Sequence, residues 1–465
     1  MHYYFLGVAG TAMASLAVLM KRKGHQVWGV DQGIYPPMSD FLNQHRIETY
    51  SGYNKIHLEK KFDMAVIGNA LSRGNEEIEE ILNKKIPFTS LPELIKNEFV
   101  MNHHNIVVTG THGKTTTTAI LSWIFEYAGM SPTFLIGGIA HNFASSIGFG
   151  KGKYFIIEGD EYDSAFFDKR PKFLHYFPDH LIINNIEFDH FDIYKNLEEI
   201  KTAFWKLIRI IPSNGLIVAN GDDSTVRDVL SKHYSRLEFY SKEPDSEIHF
   251  KITSTGQHGV SFEYYKKGIK VGEFNFPFPG EFQVKNAVAS ITIALDLDIS
   301  PQIIAEAISS FQGVQRRLEL WGTINGANIF DDFAHHPTAI RETLRSMKAR
   351  YINKKIVALF EPRTNTTSQN IFQHELEDAL AVADSIFLAP IHRPDRISKD
   401  KILDRESIVS HLHANGKEAY LLDNYSEISV ELQNYLGPDH ILILLTNGNL
   451  GGHYESLKKL AKSSS

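Results

Sequence analysis

Thr109-Gly-Thr-His-Gly-Lys-Thr-Thr-Thr-Thr118 decides the reading of the middle of the chain. Asn105-Ile-Val-Val-Thr109, which leads into it, is an apolar, β-branched run expected of a buried strand. The residues after it read as a helix that reaches Tyr127. Strand, glycine-bearing loop and helix in that order are the context of a phosphate-binding loop. Glycines let backbone N–H groups converge on phosphate oxygens, and the helix N-terminus adds positive potential. Gly110, Thr111, His112, Gly113, Lys114, Thr115 and Thr116 are therefore the expected nucleotide contacts. Lys114 would neutralise the terminal phosphates, and the Thr115 hydroxyl would ligate Mg²⁺. The general spacing G-x-x-x-x-G-K-[ST] asks for glycine at 108, where Val108 stands. The chain carries a shorter G-x-x-G-K-T from Gly110. A Lys114 substitution is expected to abolish turnover and leave the fold intact.

Working outward, apolar strands are expected at Tyr154–Glu158, His180–Asn184 and Leu216–Asn220. Glu247–Phe278 alternates polar and apolar residues around turns at Gly259 and Gly268, the pattern of antiparallel β-structure. Val284–Leu297 and Pro301–Phe311 read as helices. On the N-terminal side, strands are expected at Tyr3–Gly7, Gln26–Asp31 and Asp63–Asn69, with a helix over Thr11–Arg22. On the C-terminal side, strands are expected at Ala327–Phe330, Lys355–Phe360, Ser385–Ala389, Glu418–Leu422 and His440–Thr446. Strands alternating with helices imply parallel βαβ units. The expected fold is α/β in three domains. Residues 1–102 form a Rossmann-like N-terminal domain. Residues 103–313 form a P-loop ATPase domain with a small antiparallel β appendage. Residues 314–465 form a doubly wound C-terminal domain.

Composition bounds the function. The 465 residues carry 48 basic and 55 acidic side chains, a net charge of −7, which argues against a nucleic-acid partner. Apolar residues make up 43% and charged residues 22%, ordinary globular usage. The absence of cysteine removes disulfides, thiolate metal sites and cysteine nucleophiles. No apolar run reaches the roughly 20 residues that span a bilayer, and the N-terminus lacks the charged start of a signal peptide. A cytoplasmic protein with no membrane partner is expected.

Two acidic clusters follow apolar strands: Glu158-Gly-Asp-Glu-Tyr-Asp163, and Asn184-Asn-Ile-Glu-Phe-Asp-His190. Strand C-termini line the ligand crevice of an α/β sheet, and carboxylate, imidazole and hydroxyl ligands near phosphates suit Mg²⁺ or Mn²⁺. Either cluster alone also reads as a solvated acidic loop. No H-E-x-x-H of a zinc hydrolase is present. Gly7-Val-Ala-Gly10, with Asp31 closing the next strand, approaches the dinucleotide fingerprint, but Ala9 and Ala12 stand where its later glycines belong. It reads as a nucleotide-diphosphate site or as a tight turn at a helix start.

Taken together, GTHGKT, EGDEYD, NIEFDH, Arg316-Arg317 and Asp331-Asp-Phe-Ala-His-His-Pro337 resemble the Mur ligase superfamily, in family order over nearly the whole chain. Tyr35-Pro-Pro-Met-Ser39, Gly68–Asn75, Tyr162–Arg170 and Phe360-Glu-Pro-Arg-Thr-Asn-Thr366 resemble its murein peptide ligase branch. The resemblance implies an ATP- and Mg²⁺-dependent amide ligase of peptidoglycan synthesis and recycling. Such an enzyme joins UDP-N-acetylmuramate to L-Ala-γ-D-Glu-meso-diaminopimelate through an acyl phosphate. The UDP-N-acetylmuramate–L-alanine ligase is the alternative within the family. A nucleotide-gated switch and an ATPase motor are the alternatives outside it.

By matched motif, the resemblance implies Gly10, Asp31 and Asn69 at the UDP-sugar and Lys114, His190 and Arg317 in catalysis. It implies Thr115, Glu158 and His190 at the metal, with Asn286, Asp332 and His335 completing the ATP site. Arg363 and Asn365 would meet the peptide, the planar guanidinium suiting the distal carboxylate of diaminopimelate. A surface Arg capping its loop is the other reading of Arg363. The resemblance also implies closure of the third domain, for which a pivot near Gly313 is expected. Two departures stand out. Gly280-Glu-Phe282-Gln283-Val-Lys-Asn286 has Phe282 and Gln283 where the family often has His and Asn. The position of a carboxylated lysine in some relatives falls on Trp205, beside Lys206, so none is expected.

Overall fold

The computed structural model describes residues 1–463 apart from positions 36, 37, 190, 192 and 365. Three sheets carry the chain in sequence order. The first is five-stranded and parallel, with the spatial order Glu48–Ser51, Gln26–Asp31, His2–Leu6, Met64–Ile67, Phe88–Ser90. Its central strand is apolar on both faces, as a parallel strand between helices must be. Tyr3 and Phe5 face one cluster of buried side chains, and Tyr4 and Leu6 the other. The expected strands and the helix Thr11–Arg22 are present. The short edge strands at Glu48 and Phe88 carry no run of apolar residues and escape a periodicity reading.

The second sheet has ten strands. Its parallel centre runs Arg236–Ser241, Leu216–Asn220, His180–Ile183, His104–Thr109, Tyr154–Glu158, Thr133–Ala140. The alternating stretch forms Ile248–Gly256, Gly259–Lys266 and Ile269–Phe276, antiparallel to one another. These strands continue the central sheet, because Tyr240 pairs with Ile248 in parallel register. Alternation explains the arrangement: Phe250, Phe262 and Phe274 fall on one face and are buried. They share a core with the helices Glu281–Asp296 and Pro301–Ser309. Burial of a Phe side chain contributes about 1.5–3 kcal/mol, so this face holds the extension in place.

The third sheet has six strands, ordered Glu319–Ile324, Ala327–Asp332, His440–Leu445, Lys355–Phe360, Ser385–Leu388, Glu418–Leu421. Only the first pair is antiparallel. The five strands expected here are present, within two residues at their ends. Among the described residues no helix is long and apolar enough to cross a membrane.

Candidate active site

Three helices open onto one cavity of about 1040 Å³, and each begins at a glycine that offers no capping side chain: Gly10, Gly113 and Gly280. Elsewhere Asn75, Asn196, Ser300 and Asp404 cap their helices with side-chain oxygens. A helix leaves its first N–H groups unpaired. Where no side chain accepts from them, they stand ready for an anion. The cavity is continuous from Gly10, Asp31 and Asn69 of the first sheet to the Lys114 loop, and on to Arg317, Asp332 and His335.

Gly113 shows why the loop sequence is what it is. Its φ is +82°, and a Cβ there would lie 2.7 Å from Asn286 Oδ1 and 2.9 Å from Asn184 Nδ2. Only glycine fits both the backbone and the space. The loop is held from the neighbouring strand end: His112 N donates to Asn185 Oδ1 at 2.8 Å, and Glu187 N to Thr111 Oγ1 at 2.8 Å.

Lys114 is buried. Its Nζ donates to Gly110 O at 2.6 Å and lies 2.9 Å from Glu161 Oε2. Burial alone would lower its pKa, but Glu161, Asp160 and Glu158 outweigh it and hold the ammonium above its ordinary value. Thr115 Oγ1 donates to Glu158 Oε2 at 3.2 Å, and Arg317 Nη2 approaches the same hydroxyl at 3.5 Å. Glu158 also accepts from the Gly137 backbone N–H. Burial pushes the Glu158 carboxyl up, against the downward pull of Gly137, Lys114 and Arg317. Lys114, Thr115, Glu158 and Arg317 thus converge from the loop, the next strand and the entry to the third sheet.

Asp332 lines the cavity, but its carboxylate is engaged by backbone: Leu318 N and Ala334 N each donate to it at 2.8 Å. It therefore fixes the chain on both sides of Arg317 and His335. Asn286 lines the cavity with Phe282 and Gln283, to which its amide donates at 3.4 Å. Asp31 accepts from Ala9 N at 2.9 Å and Gln32 N at 2.7 Å, tying its own turn in a way that needs no third glycine.

Arg363 does not line this cavity. Its Nη1 sits 3.4 Å from Glu361 Oε1 and 3.4 Å from Asn449 Oδ1, at the C-terminal end of its strand. Trp205 and Lys206 are exposed on the helix Leu197–Ile208 and do not line the cavity either. His190 and Asn365 lie outside the described residues. Three contributors escaped the reading of the sequence. Glu161 stood inside a quoted motif with no role of its own. Gly137 is half of a Gly-Gly pair in a strand, a mark of close approach that was available. Glu187 meets His112 and His336 only through the fold.

This geometry is shared. The Mur ligase family, catalytic domain, matches residues 2–99; the Mur ligase middle domain matches 108–294; the Mur ligase, glutamate ligase domain, matches 316–448. The chain is 38% identical over 466 residues to the UDP-N-acetylmuramate–L-alanyl-γ-D-glutamyl-meso-2,6-diaminoheptandioate ligase of Escherichia coli K12, covering 99% of each. It is 30% identical over 447 residues to the UDP-N-acetylmuramate–L-alanine ligase of Clostridium tetani, covering 96% of this chain and 95% of that one. The crystal structure of a murein peptide ligase from Psychrobacter arcticus superposes with a TM-score of 0.74 at 34% identity, covering 99% of each chain. With matching domain models in sequence order and identity running end to end, the chain belongs to the Mur ligase family.

Proposed function

We propose that this Mur ligase joins UDP-N-acetylmuramate to L-alanyl-γ-D-glutamyl-meso-diaminopimelate at the expense of ATP. The observation that carries the proposal is the single cavity running past all three sheets, in a chain 38% identical along its length to a ligase named for those substrates. A carboxylate does not condense with an amine at neutral pH, because oxide would have to leave. Phosphorylation of the muramoyl carboxylate by ATP supplies a better leaving group. The peptide's amine then attacks the acyl carbon, the C–N bond forms, the C–O bond to phosphate breaks, and the amine gives up its proton.

The chain's part is positioning and charge neutralisation. Residues 1–102 would hold the UDP-sugar through Gly10, Asp31 and Asn69, and residues 103–313 the ATP through Gly110–Thr116 and Asn286. Residues 314–465 would close over both with Asp332 and His335. Lys114 and Arg317 would offset the charge of the transferring phosphoryl group. For Lys114 this means exchanging Glu161 for phosphate, since the ammonium cannot serve both fully.

The residues fit a hard divalent cation. Glu158 is a half-buried carboxylate beside the Thr115 hydroxyl, an all-oxygen pair at the mouth of a phosphate loop. Thr115, Glu158 and His190 would hold Mg²⁺, which screens phosphate charge when bound. Arg363 and Asn365 would select the peptide from the third domain.

The test offers the pure protein ATP, Mg²⁺ and UDP-N-acetylmuramate with L-alanine, the tripeptide, or its lysine analogue, and reads ADP release and product mass. Ligation of the tripeptide is expected. Efficient ligation of free alanine alone would assign the chain to the activity of its alanine-ligase relatives. ADP release in the absence of any amine acceptor or carboxylate would point to a switch or motor.

A further inference from the structure

Three potential ligands from three separate segments meet at one point of the cavity wall. His112 comes from the phosphate loop, Glu187 from the segment after the strand His180–Ile183, and His336 from the start of the helix Pro337–Arg350 in the third domain. His112 Nε2 lies 3.1 Å from His336 Nδ1, and each of these nitrogens lies 3.6 Å from Glu187 Oε2. The three atoms lie on a circle of radius about 2.0 Å, so an ion lifted from their plane as in a tetrahedral site would be about 2.1 Å from each, within the range of zinc–nitrogen and zinc–oxygen bonds. The same three separations are close to the edges, about 3.3 Å, of a tetrahedron drawn around such an ion. We propose that His112, Glu187 and His336 form a site for a borderline divalent cation such as Zn²⁺, separate from the Mg²⁺ position at Thr115 and Glu158, and that the ion fastens the third domain to the middle one.

The chemistry of the donors selects the ion. Two imidazoles and one carboxylate suit Zn²⁺ and its neighbours in the Irving–Williams order, whereas Mg²⁺ demands oxygen. All three residues line the cavity, so a fourth, solvent-derived ligand could reach the ion from it. Thr338 Oγ1 donates to Glu187 Oε2 at 2.7 Å and orients it, as an outer-shell partner does for a metal-bound carboxylate. Because His112 and Glu187 belong to the middle domain and His336 to the third, occupancy requires the two to be as close as they are here.

The test uses the full chain, stripped with chelator and free of nucleotide, titrated with Zn²⁺ alone by calorimetry. One ion per chain is expected, undisplaced by millimolar Mg²⁺. Removing an outer-shell partner already costs 10–100-fold in metal affinity, so His112→Asn, Glu187→Gln and His336→Asn should each weaken Zn²⁺ by about 100-fold or more. Asn at 336 can still cap its helix, and His112→Asn tests the site without touching that cap. Co²⁺ in place of Zn²⁺ should show the intense visible bands of a tetrahedral site in the wild type and lose them in the variants. Zn²⁺ should also slow amide exchange in Pro337–Arg350. Affinity unchanged in both histidine variants, or Co²⁺ bands that are weak and octahedral, would overturn the proposal.

Discussion

Lys114→Met separates the part this lysine plays in the free enzyme from its part in catalysis. Its Nζ is 2.9 Å from Glu161 Oε2, with side chains 15% and 3% exposed. At that separation and an effective dielectric near 20, the attraction is about 6 kcal/mol before desolvation is counted. Breaking a buried pair from one side costs about 3–5 kcal/mol. Residual exposure of the lysine puts the expected loss at the lower end, about 3 kcal/mol. Substitution at 114 is therefore expected to loosen the local fold as well as abolish turnover. Glu161→Gln should cost less, because Asp160 and Glu158 still face the ammonium. In Lys114→Met/Glu161→Gln neither charge is left facing a missing partner. The cycle should show a favourable coupling of about 1–3 kcal/mol. Amide exchange in the helix Lys114–Tyr127 reads this local opening energy without requiring the whole chain to unfold as one unit. The double variant should recover protection yet form little ADP, since Arg317 alone does not replace the Lys114 ammonium at the phosphate. The reasoning fails if Lys114→Met exchanges within about 0.5 kcal/mol of wild type, or if the two substitutions are additive.

Glu158→Gln should raise the Mg²⁺ concentration needed for half-maximal turnover by about tenfold or more, at little cost in stability, because burial already disfavours its charge. A Mg²⁺ titration identical to wild type would remove Glu158 from the metal. Asp331 is raised by burial to about 7, against Arg316 and its Tyr454 partner. A carboxyl raised above its unfolded value is favoured protonated, so it weakens the fold progressively from about pH 4 to pH 7, by up to about 1.4 kcal/mol per unit. Asp331→Asn should flatten the fall of Tm between about pH 4 and pH 7; an unaltered slope would count against the assignment. Arg363→Lys keeps the charge but loses the fork. It should raise KM for the tripeptide about tenfold while leaving ATP affinity unchanged, measured by steady-state kinetics and nucleotide titration.

Much of the fold was legible because the evidence for it is local. Lys355–Phe360 and His104–Thr109 are apolar runs bounded by polar residues, and both are strands buried in parallel sheets. Glu48–Ser51 and Arg236–Ser241 are strands for a different reason. Each lies beside a parallel neighbour that supplies its hydrogen bonds, and its own sequence carries little apolar signal. The site divides in the same way. Gly110–Thr116 declares itself because backbone, charge and hydroxyl come from consecutive residues. Glu187 and His336, 149 positions apart, become neighbours only when the third sheet packs beside the second, and no spacing rule records that.

A hinge near Gly313 was expected because glycine tolerates large dihedral changes. Its φ is indeed +86°, but a Cβ there would lie 2.4 Å from Phe278 Cζ, so close packing already demands glycine. Its carbonyl accepts from His141 N at 3.0 Å, and Gln315 N donates to Ile139 O at 2.9 Å. Residues 313–315 are thereby stitched to the middle domain. From the next residue onward most ties run to the third domain, apart from Arg317 N, which donates to Val314 O at 3.1 Å, and Arg317 Nη2, 3.5 Å from Thr115 Oγ1. Arg316 N donates to Glu319 Oε2 at 3.0 Å, its guanidinium donates to Thr446 O and Gly448 O, and its carbonyl accepts from Phe333 N. The handover falls at the Gln315–Arg316 peptide, and Arg316 and Leu318 both hold left-handed φ, 60° and 50°, on either side of Arg317. Rotation about the backbone dihedrals on either side of that peptide, which itself stays planar, would carry Arg317 with the third domain, toward or away from Thr115, and leave Gly313 where it is.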